Sequence, residues 1–308
     1  MSIEVTATQI VTFKNNMELA LQQKTSKLWP YAMPEAGKGK NTELTNLIGA
    51  AAGNEATERH GDTKYGNTPH DRRWCPVRPE YYYADLVDTA DKLRAGIDLE
   101  GAYVQAGAAT IARGKDERFL QGFYGTAFTG ETGATQVPFP AGNIGAVNIG
   151  AAGPTGMNMA KLRWAKRRLM ANLVDTDSEE LYIALTSVQY DNLLNEVQAV
   201  SNDFVSADKK VIESGQLPKL LGFNFIQCEY GNSASFPVAA ALTLDGNGYR
   251  RVPVWAKSGM SAVTWDENNS YIDRLPGKQQ SVQVWAGTTV AASRNQEGKC
   301  LQLLCLES

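Results

Sequence analysis

From Gly37 to Arg78 the chain runs through one long polar stretch, rich in Gly, Asn, Thr and charged residues. Its one short apolar patch is LIGAAAG, residues 47–53. No apolar periodicity gives this stretch a core of its own. Loops beyond about 15 residues are uncommon in a compact domain unless they are functional or reach out to another surface. Part of the stretch is therefore expected to be an extended hairpin. Its centre, ERHGDTKYGNTPHDRRW, carries both histidines of the chain, His60 and His70, with Asp62 and Asp71 beside them. That pairing raises the question of a metal or acid/base centre.

The spacing argues against one. Metal sites place ligands on rigid elements, such as His at i and i+4 on a helix. His60 and His70 stand instead in a loop punctuated by Gly, Asn and Pro, and no third ligand group stands out. The segment reads as a solvated or interface loop. Other enzymatic centres are also missing. GNIGAVNIGAAGPTG, residues 142–156, is Gly-rich, but Pro154 interrupts it and the next helix starts only near Asn158. A dinucleotide loop needs a strand before it and a helix starting within it. There is no G-x-x-x-x-G-K-[ST] or G-x-S-x-G motif, and no His placed to serve a Ser or Cys nucleophile. No cofactor is expected. Carboxylate-pair catalysis stays open at this level.

With 308 residues, 43% of them hydrophobic, the chain can bury one large core or two smaller ones. The net charge of -3 gives no case for a nucleic-acid-binding surface overall. Cys75, Cys228, Cys300 and Cys305 form no C-x-x-C pair, and packed, reduced thiols are expected. The N-terminus lacks a positively charged start followed by an apolar core, and no apolar run reaches the ~20 residues of a membrane span. A soluble chain made in the cytoplasm is predicted, with no membrane partner.

Residues 1 to about 25 read as an amphipathic arm with Val11, Met17, Leu19 and Leu21 apolar. Lys27 to Tyr31 reads as a short strand, and Tyr81 to Val87 as an aromatic one. Asp98 is a good N-cap for a long helix ending near Gln121, stopped by Gly122 and Gly125. Ile97, Ala102, Ala106, Ala109, Ala112 and Phe119 form its apolar stripe, and its many small residues let other backbones come close. Residues 126–156 read as a loop or a set of short strands. MNMAKLRWAKRRLMANLVD is a second helix, with Met159, Leu162, Ala165, Leu169 and Leu173 on one side. Lys161, Arg163, Lys166, Arg167 and Arg168 crowd the rest, either as a solvated face or as a contact for an acidic partner or nucleic acid. ELYIALTS is a buried strand, with Ser187 capping the helix after it. LLGFNFIQCEY, VPVWAKSGMSAVTW, SVQVWAGTTVAASRN and KCLQLLCLE are further strands. Strands and helices mix without regular alternation, so the class is α+β.

In this order the segments resemble the major capsid proteins of tailed bacteriophages with the Hong Kong 97 fold. The resemblance covers about residues 25–308. ERHGDTKYGNTPHDRRWCPVRPEYYYADLVDTADKLRAGID carries it most, supported by FYGTAFTGETGAT, MAKLRWAKRRLMANLVD, LYIALTSVQYDNLL and LLGFNFIQCEY. No single motif is diagnostic; the order of several is. The resemblance implies an N-terminal arm (1–36) and an extended loop (37–83) lying over the adjacent subunit. It implies a peripheral domain (84–156 and 262–308) with a spine helix at about 98–121, and an axial domain (157–261). The last strand fits either sheet.

The function so implied is structural. Pentamers and hexamers of the chain close into an icosahedral virion shell around double-stranded DNA, held by non-specific contact and assembled in the host cytoplasm. The partners are further copies, a separate scaffolding protein, a portal and decoration proteins. The loop tip, with His60, Asp62, Lys64, Tyr65, His70, Arg72 and Arg73, is then the inter-subunit contact. Lys161, Arg163, Lys166, Arg167 and Arg168 are the candidate inner basic face. Two alternatives remain. One is an encapsulin-like protein cage, told apart by its contents. The other is a metal- or carboxylate-dependent enzyme using His60, Asp62, His70 and Asp71, told apart by metal analysis.

Overall fold

The computed structural model describes residues 22–55, 62, 63, 65–87, 99–200 and 219–307. In chain order the strands are β1 (Met33–Ala36), β2 (Asn41–Ile48), β3 (His70–Pro76), β4 (Tyr81–Val87), β5 (Ala127–Thr129), β6 (Thr135–Val137), β7 (Ile144–Gly145), β8 (Leu181–Leu185), β9 (Phe223–Gln227), β10 (Arg250–Ala256), β11 (Met260–Leu275), β12 (Ser281–Arg294) and β13 (Cys300–Cys305). The helices are α1 (Leu99–Tyr124), α2 (Met159–Ala171), α3 (Ser187–Val200) and α4 (Pro237–Leu242). The fold is α+β, as the sequence predicts. The amphipathic arm expected up to Leu21 lies outside the described residues. Among the described residues no helix is long and apolar enough to cross a membrane.

Three sheets organise the described residues. The first has the order β1-β11-β12-β4, the second β7-β13-β10-β8-β9, and the third β2-β3-β5-β6. The spine of the first is the long antiparallel pair β11–β12, in register from Met260↔Arg294 to Leu275↔Ser281 and broken by shifts around Asp266. Such shifts bend a strand locally. Helix α1 lies across this sheet, and its small residues set how close it comes. A Cβ on Gly114 would sit 2.3 Å from the Tyr81 ring, and one on Gly122 would sit 2.2 Å from the Ala292 carbonyl oxygen. Gly122 is therefore a packing residue inside the helix rather than its stop. The helix runs on to Tyr124, and Gly125 closes it by donating to the Gln121 carbonyl at 3.0 Å. Of the predicted stripe, Ala109 and Phe119 are buried, joined by Ile111, Leu120 and Phe123.

The segment expected as a strand at Lys27–Tyr31 is a single 3-10 turn, Trp29–Tyr31, with Pro30 in it. The reason is a carboxylate. Asp116, buried in α1, accepts from Lys27 N (2.8 Å), Leu28 N (2.9 Å), Gln23 Nε2 (2.6 Å) and the Ser26 hydroxyl (2.5 Å). These donors serve a side chain, so no strand ladder forms.

The last strand, which from the sequence fits either sheet, joins the five-stranded one. β12 belongs to the first sheet, whereas β13 pairs antiparallel with β10 from Arg250↔Cys305 to Trp255↔Cys300. The apolar run of β13 is buried almost throughout. A strand that apolar needs cover on both faces, and the inside of the five-stranded sheet provides it. One face meets α2 and α3 in a cluster containing Leu162, Leu169, Leu193, Leu301 and Leu303. The other meets α1 around the fully buried Trp255, whose ring centroid lies 5.1 Å from Phe119 and 5.9 Å from Tyr182. Trp255 Nε1 also donates to the Tyr31 carbonyl at 3.0 Å. This aromatic cluster fastens the five-stranded sheet to the long helix.

Candidate functional site

The polar stretch that opened the sequence is a hairpin. β2 and β3 pair from Asn41↔Pro76 at the root to Ile48↔His70 at the far end, with a register shift between Glu43 and Thr45. Among the described residues, β3 is fastened to the body along the outer half of this ladder. β3 pairs with β5 through Arg73↔Thr129 and Trp74↔Phe128, and Trp74 Nε1 donates to the Gly130 carbonyl at 2.7 Å. Farther out, Ile48 is 70% exposed and Tyr65 is 91% exposed.

Strand alternation sorts the expected contact residues. Successive side chains on a strand point to opposite faces. His70 and Arg72 are exposed on one face; Asp71, Arg73 and Cys75 turn to the other, where Arg73 and Cys75 are buried. Asp71 accepts a short hydrogen bond from the Thr129 hydroxyl, with the Gly130 N–H at 3.4 Å and Arg73 Nη2 at 3.7 Å. Burial pushes its carboxyl up. The Thr129 hydroxyl, the Arg73 guanidinium and the N–H groups of Gly130 and Arg72 outweigh that and hold it below the usual carboxylate value. Arg73, expected at the contact tip, is therefore part of the attachment of β3 to β5. Its Nε and Nη1 have no hydrogen-bond partner among the described residues. His70 and Asp71, adjacent on β3, border one open surface pocket but, among the described residues, share no hydrogen bond or ion pair. Asp62 and Tyr65 are exposed, while His60 and Lys64 lie outside the described residues. Arg72 meets Glu43 at 3.7 Å across the hairpin, both side chains well exposed, and such surface pairs contribute about 0–1 kcal/mol.

The basic helix is likewise divided. Asn158 caps α2 by accepting from Lys161 N. The Lys161 side chain is fully buried, donating from Nζ to the Thr155 and Gly156 carbonyls at 2.7 and 2.8 Å, with Cys305 Sγ at 3.6 Å. Burial pulls its amine down, against the opposing pull of Cys305, whose own thiol burial pushes up to about 11. Lys161 thus leaves the expected basic face: it holds a loop. Arg168 donates to Asn143 Oδ1 at 3.2 Å, and Lys166 to the Thr176 carbonyl at 3.3 Å. Arg163 and Arg167 remain as the exposed cations of the helix. Leu173, predicted on its apolar side, lies past its end and is exposed.

Two buried polar residues with many hydrogen bonds, Asp116 and Arg294, escaped the sequence reading. Besides Asp116, the fully buried Arg294 donates to the Phe123 and Gly125 carbonyls at the end of α1, to the Val137 carbonyl at 3.2 Å and to Glu297 at 2.7 Å. A cation there satisfies end carbonyls and complements the helix dipole. No local signal marks them: Asp116 lies within the charged run RGKDER, and Arg294 opens the polar run RNQEGK at the end of a strand. All four cysteines are free and buried, and burial pushes Cys75 up to about 12. Among the described residues no three His, Cys, Asp or Glu side chains gather to hold a metal.

A family model described as phage capsid protein matches residues 5–307. The chain is similar in structure to the head of Helicobacter pylori bacteriophage KHP40, at 12% identity and a TM-score of 0.70, covering 99% of this chain and 98% of that one. It is similar to the capsid of Ralstonia phage GP4, at 9% identity and a TM-score of 0.70, covering 98% and 96%. The capsid of cyanophage P-SCSP1u gives 12% identity and a TM-score of 0.69, covering 99% and 95%. At these identities the likeness is one of fold. A comparison with curated protein sequences finds no match.

Proposed function

Because the chain belongs to the phage capsid protein family, with a Hong Kong 97-type fold and a structural place in the virion, we propose that its copies assemble as pentamers and hexamers into an icosahedral shell enclosing double-stranded DNA. The observation that carries this reading is the hairpin β2–β3, fastened to the body along β3 and exposed at its tip at Ile48 and Tyr65. Such an arm adds contact area across a subunit border without a core of its own. Heterologous contacts between identical chains that close into a lattice give a stable shell from individually modest interfaces.

In this reading the five-stranded sheet with α2 and α3 is the axial domain. The sheet β1-β11-β12-β4 with α1 is the peripheral domain. The hairpin lies over the neighbouring subunit, and Asp62, Tyr65, His70 and Arg72 make its contacts. Exposed apolar side chains on the first sheet, Tyr82, Leu86 and Tyr271, offer an apolar surface to an adjacent copy. A separate scaffolding protein, a portal and decoration proteins complete the set of partners, and the DNA is held by non-specific contact.

Electron microscopy of the purified full chain tests the reading, with regular closed particles as the expected outcome. Deletion of Gly61–Pro69 should leave each subunit folded and abolish closure. Normal particles from that deletion would remove the hairpin's role, and a chain that stays monomeric under all assembly conditions would remove the shell itself. The nucleic acid or protein content of particles distinguishes a DNA shell from a cargo cage.

A further inference from the structure

Helix α2 ends on a leucine that neither its conformation nor its burial explains. Asn172 N donates to the Arg168 carbonyl and Val174 N to the Leu169 carbonyl, each at 3.0 Å. Leu173, between them, has φ 61. Helices give this closing position to Gly or Asn, because a Cβ is crowded in the left-handed region. Yet the side chain is apolar and 92% exposed. A second case precedes β9. Phe223 N donates to the Leu220 carbonyl at 2.9 Å, and the two residues between have φ 51 (Leu221) and φ 87 (Gly222). The first of these positions favours Asn, Asp or Gly, and Leu221 too is exposed. Left-handed backbone at non-Gly residues costs stability and tends to persist where function requires the side chain.

Leu173 follows two residues after Ala171, and Met170 and Ala171 share a cleft with Leu221. Leu221, with Met170 (58% exposed) and Ala171, lines an open cleft of about 450 Å³ whose other walls are Arg163, Lys166 and Arg167. Arg163 and Arg167 stand one turn apart, and neither makes a hydrogen bond or ion pair among the described residues. An apolar ledge rimmed by free cations is thus exposed on the helix that packs against the five-stranded sheet.

We propose that this ledge docks an acidic amphipathic helix of a partner protein. The partner's apolar stripe lies on Met170, Leu173 and Leu221, and its flanking carboxylates meet Arg163 and Arg167. Charge complementarity selects the sign of the partner, and the exposed leucines select its form. A DNA backbone would use the arginines but leave the leucines without a role, since a duplex presents phosphate and sugar to such a face. The inference does not depend on shell formation.

The test is fluorescence anisotropy on the full-length, unassembled chain. The probe is a labelled synthetic helix of Glu, Leu and Ala, with its leucines on one face. Its comparators are the same residues scrambled so that no apolar face forms, and a short DNA duplex. The expected result is saturable binding of the amphipathic peptide, weaker by about tenfold or more for the scrambled one. A similar loss is expected in Leu173→Gly/Leu221→Gly and in Arg163→Ala/Arg167→Ala, as for central contacts of an interface. Glycine is at home at both leucine positions, so the first double variant should keep its thermal midpoint, which separates docking from folding. Absence of saturable peptide binding, or equal binding of the scrambled peptide, would overturn the proposal. So would tighter binding of the duplex that ignores the leucine variants, which would assign the cations to nucleic acid.

Discussion

The hairpin β2–β3 and the Trp255 cluster are built on opposite terms. Around Trp255, three parts of the chain converge: α1 with Phe119 and Phe123, the five-stranded sheet with Tyr182, and the turn at Trp29–Tyr31. Every large side chain there is held by several others. The hairpin has the reverse character. Its backbone is paired along its length, but its outer apolar side chains, Ile48 and Tyr65, meet little within the chain. Stability is concentrated in one region and contact capacity in the other. The same substitution chemistry should therefore have opposite readouts in the two.

Trp255→Ala is the largest expected break. Removing a fully buried aromatic side chain costs about 3–5 kcal/mol, a large part of a typical domain's margin. Thermal or denaturant unfolding should show a strongly lowered midpoint. An unchanged midpoint would mean that the cluster does not carry the stability assigned to it.

Asp116→Ala comes next. It leaves Leu28 N, a buried donor, without its acceptor, at about 1–3 kcal/mol, and removes the acceptor of the part-buried Lys27 N as well. Beyond a lower midpoint, the backbone amides of residues 26–28 should lose hydrogen-exchange protection before the rest of the chain. Uniform loss everywhere would show that the clamp is not local.

Ile48→Asp should change the midpoint by less than about 0.5 kcal/mol equivalent, as exposed substitutions do. Particle yield by electron microscopy should fall sharply. A stability loss as large as that of Trp255→Ala would erase the distinction between the two regions.

What the sequence disclosed follows the same division. Elements with a strong local pattern were legible: the Ala/Gly helix, the apolar strand at Leu181–Leu185, the long strands near the C-terminus and the hairpin implied by polar length. Their information lies in neighbouring residues. Features made by distant partners were not legible. The turn at Trp29–Tyr31 depends on Asp116, some ninety positions away by the described bonds. Gly122 reads as a helix stop because the Ala292 carbonyl that excludes its Cβ is remote in sequence. The contact residues of the hairpin were legible as a segment and not individually. Alternation on β3 sends Arg73 inward and Arg72 outward, and the register that decides this comes from pairing with β2 and β5.

The smallest effect lies where the two regions join. The hydrogen bond from Thr129 and the charge of Arg73 hold the Asp71 carboxyl below its usual value despite burial. A carboxylate whose folded pKa is depressed contributes stability that is present above its unfolded pKa, about 3.9, and lost as pH falls through the folded value. The β3–β5 fastening should thus be indifferent to pH through neutrality and loosen only on strong acidification. The side chain is 42% exposed, so screening keeps the effect well under about 1 kcal/mol. Asp71→Asn should flatten the acid limb of the thermal midpoint against pH while leaving the neutral midpoint nearly unchanged. Hydrogen exchange at Gly130 should follow the same limb. If the variant kept the wild-type acid slope, the hairpin would be held by the β3–β5 ladder and Trp74 alone. The hairpin would then be an arm fastened by backbone pairing, with no electrostatic catch on β3.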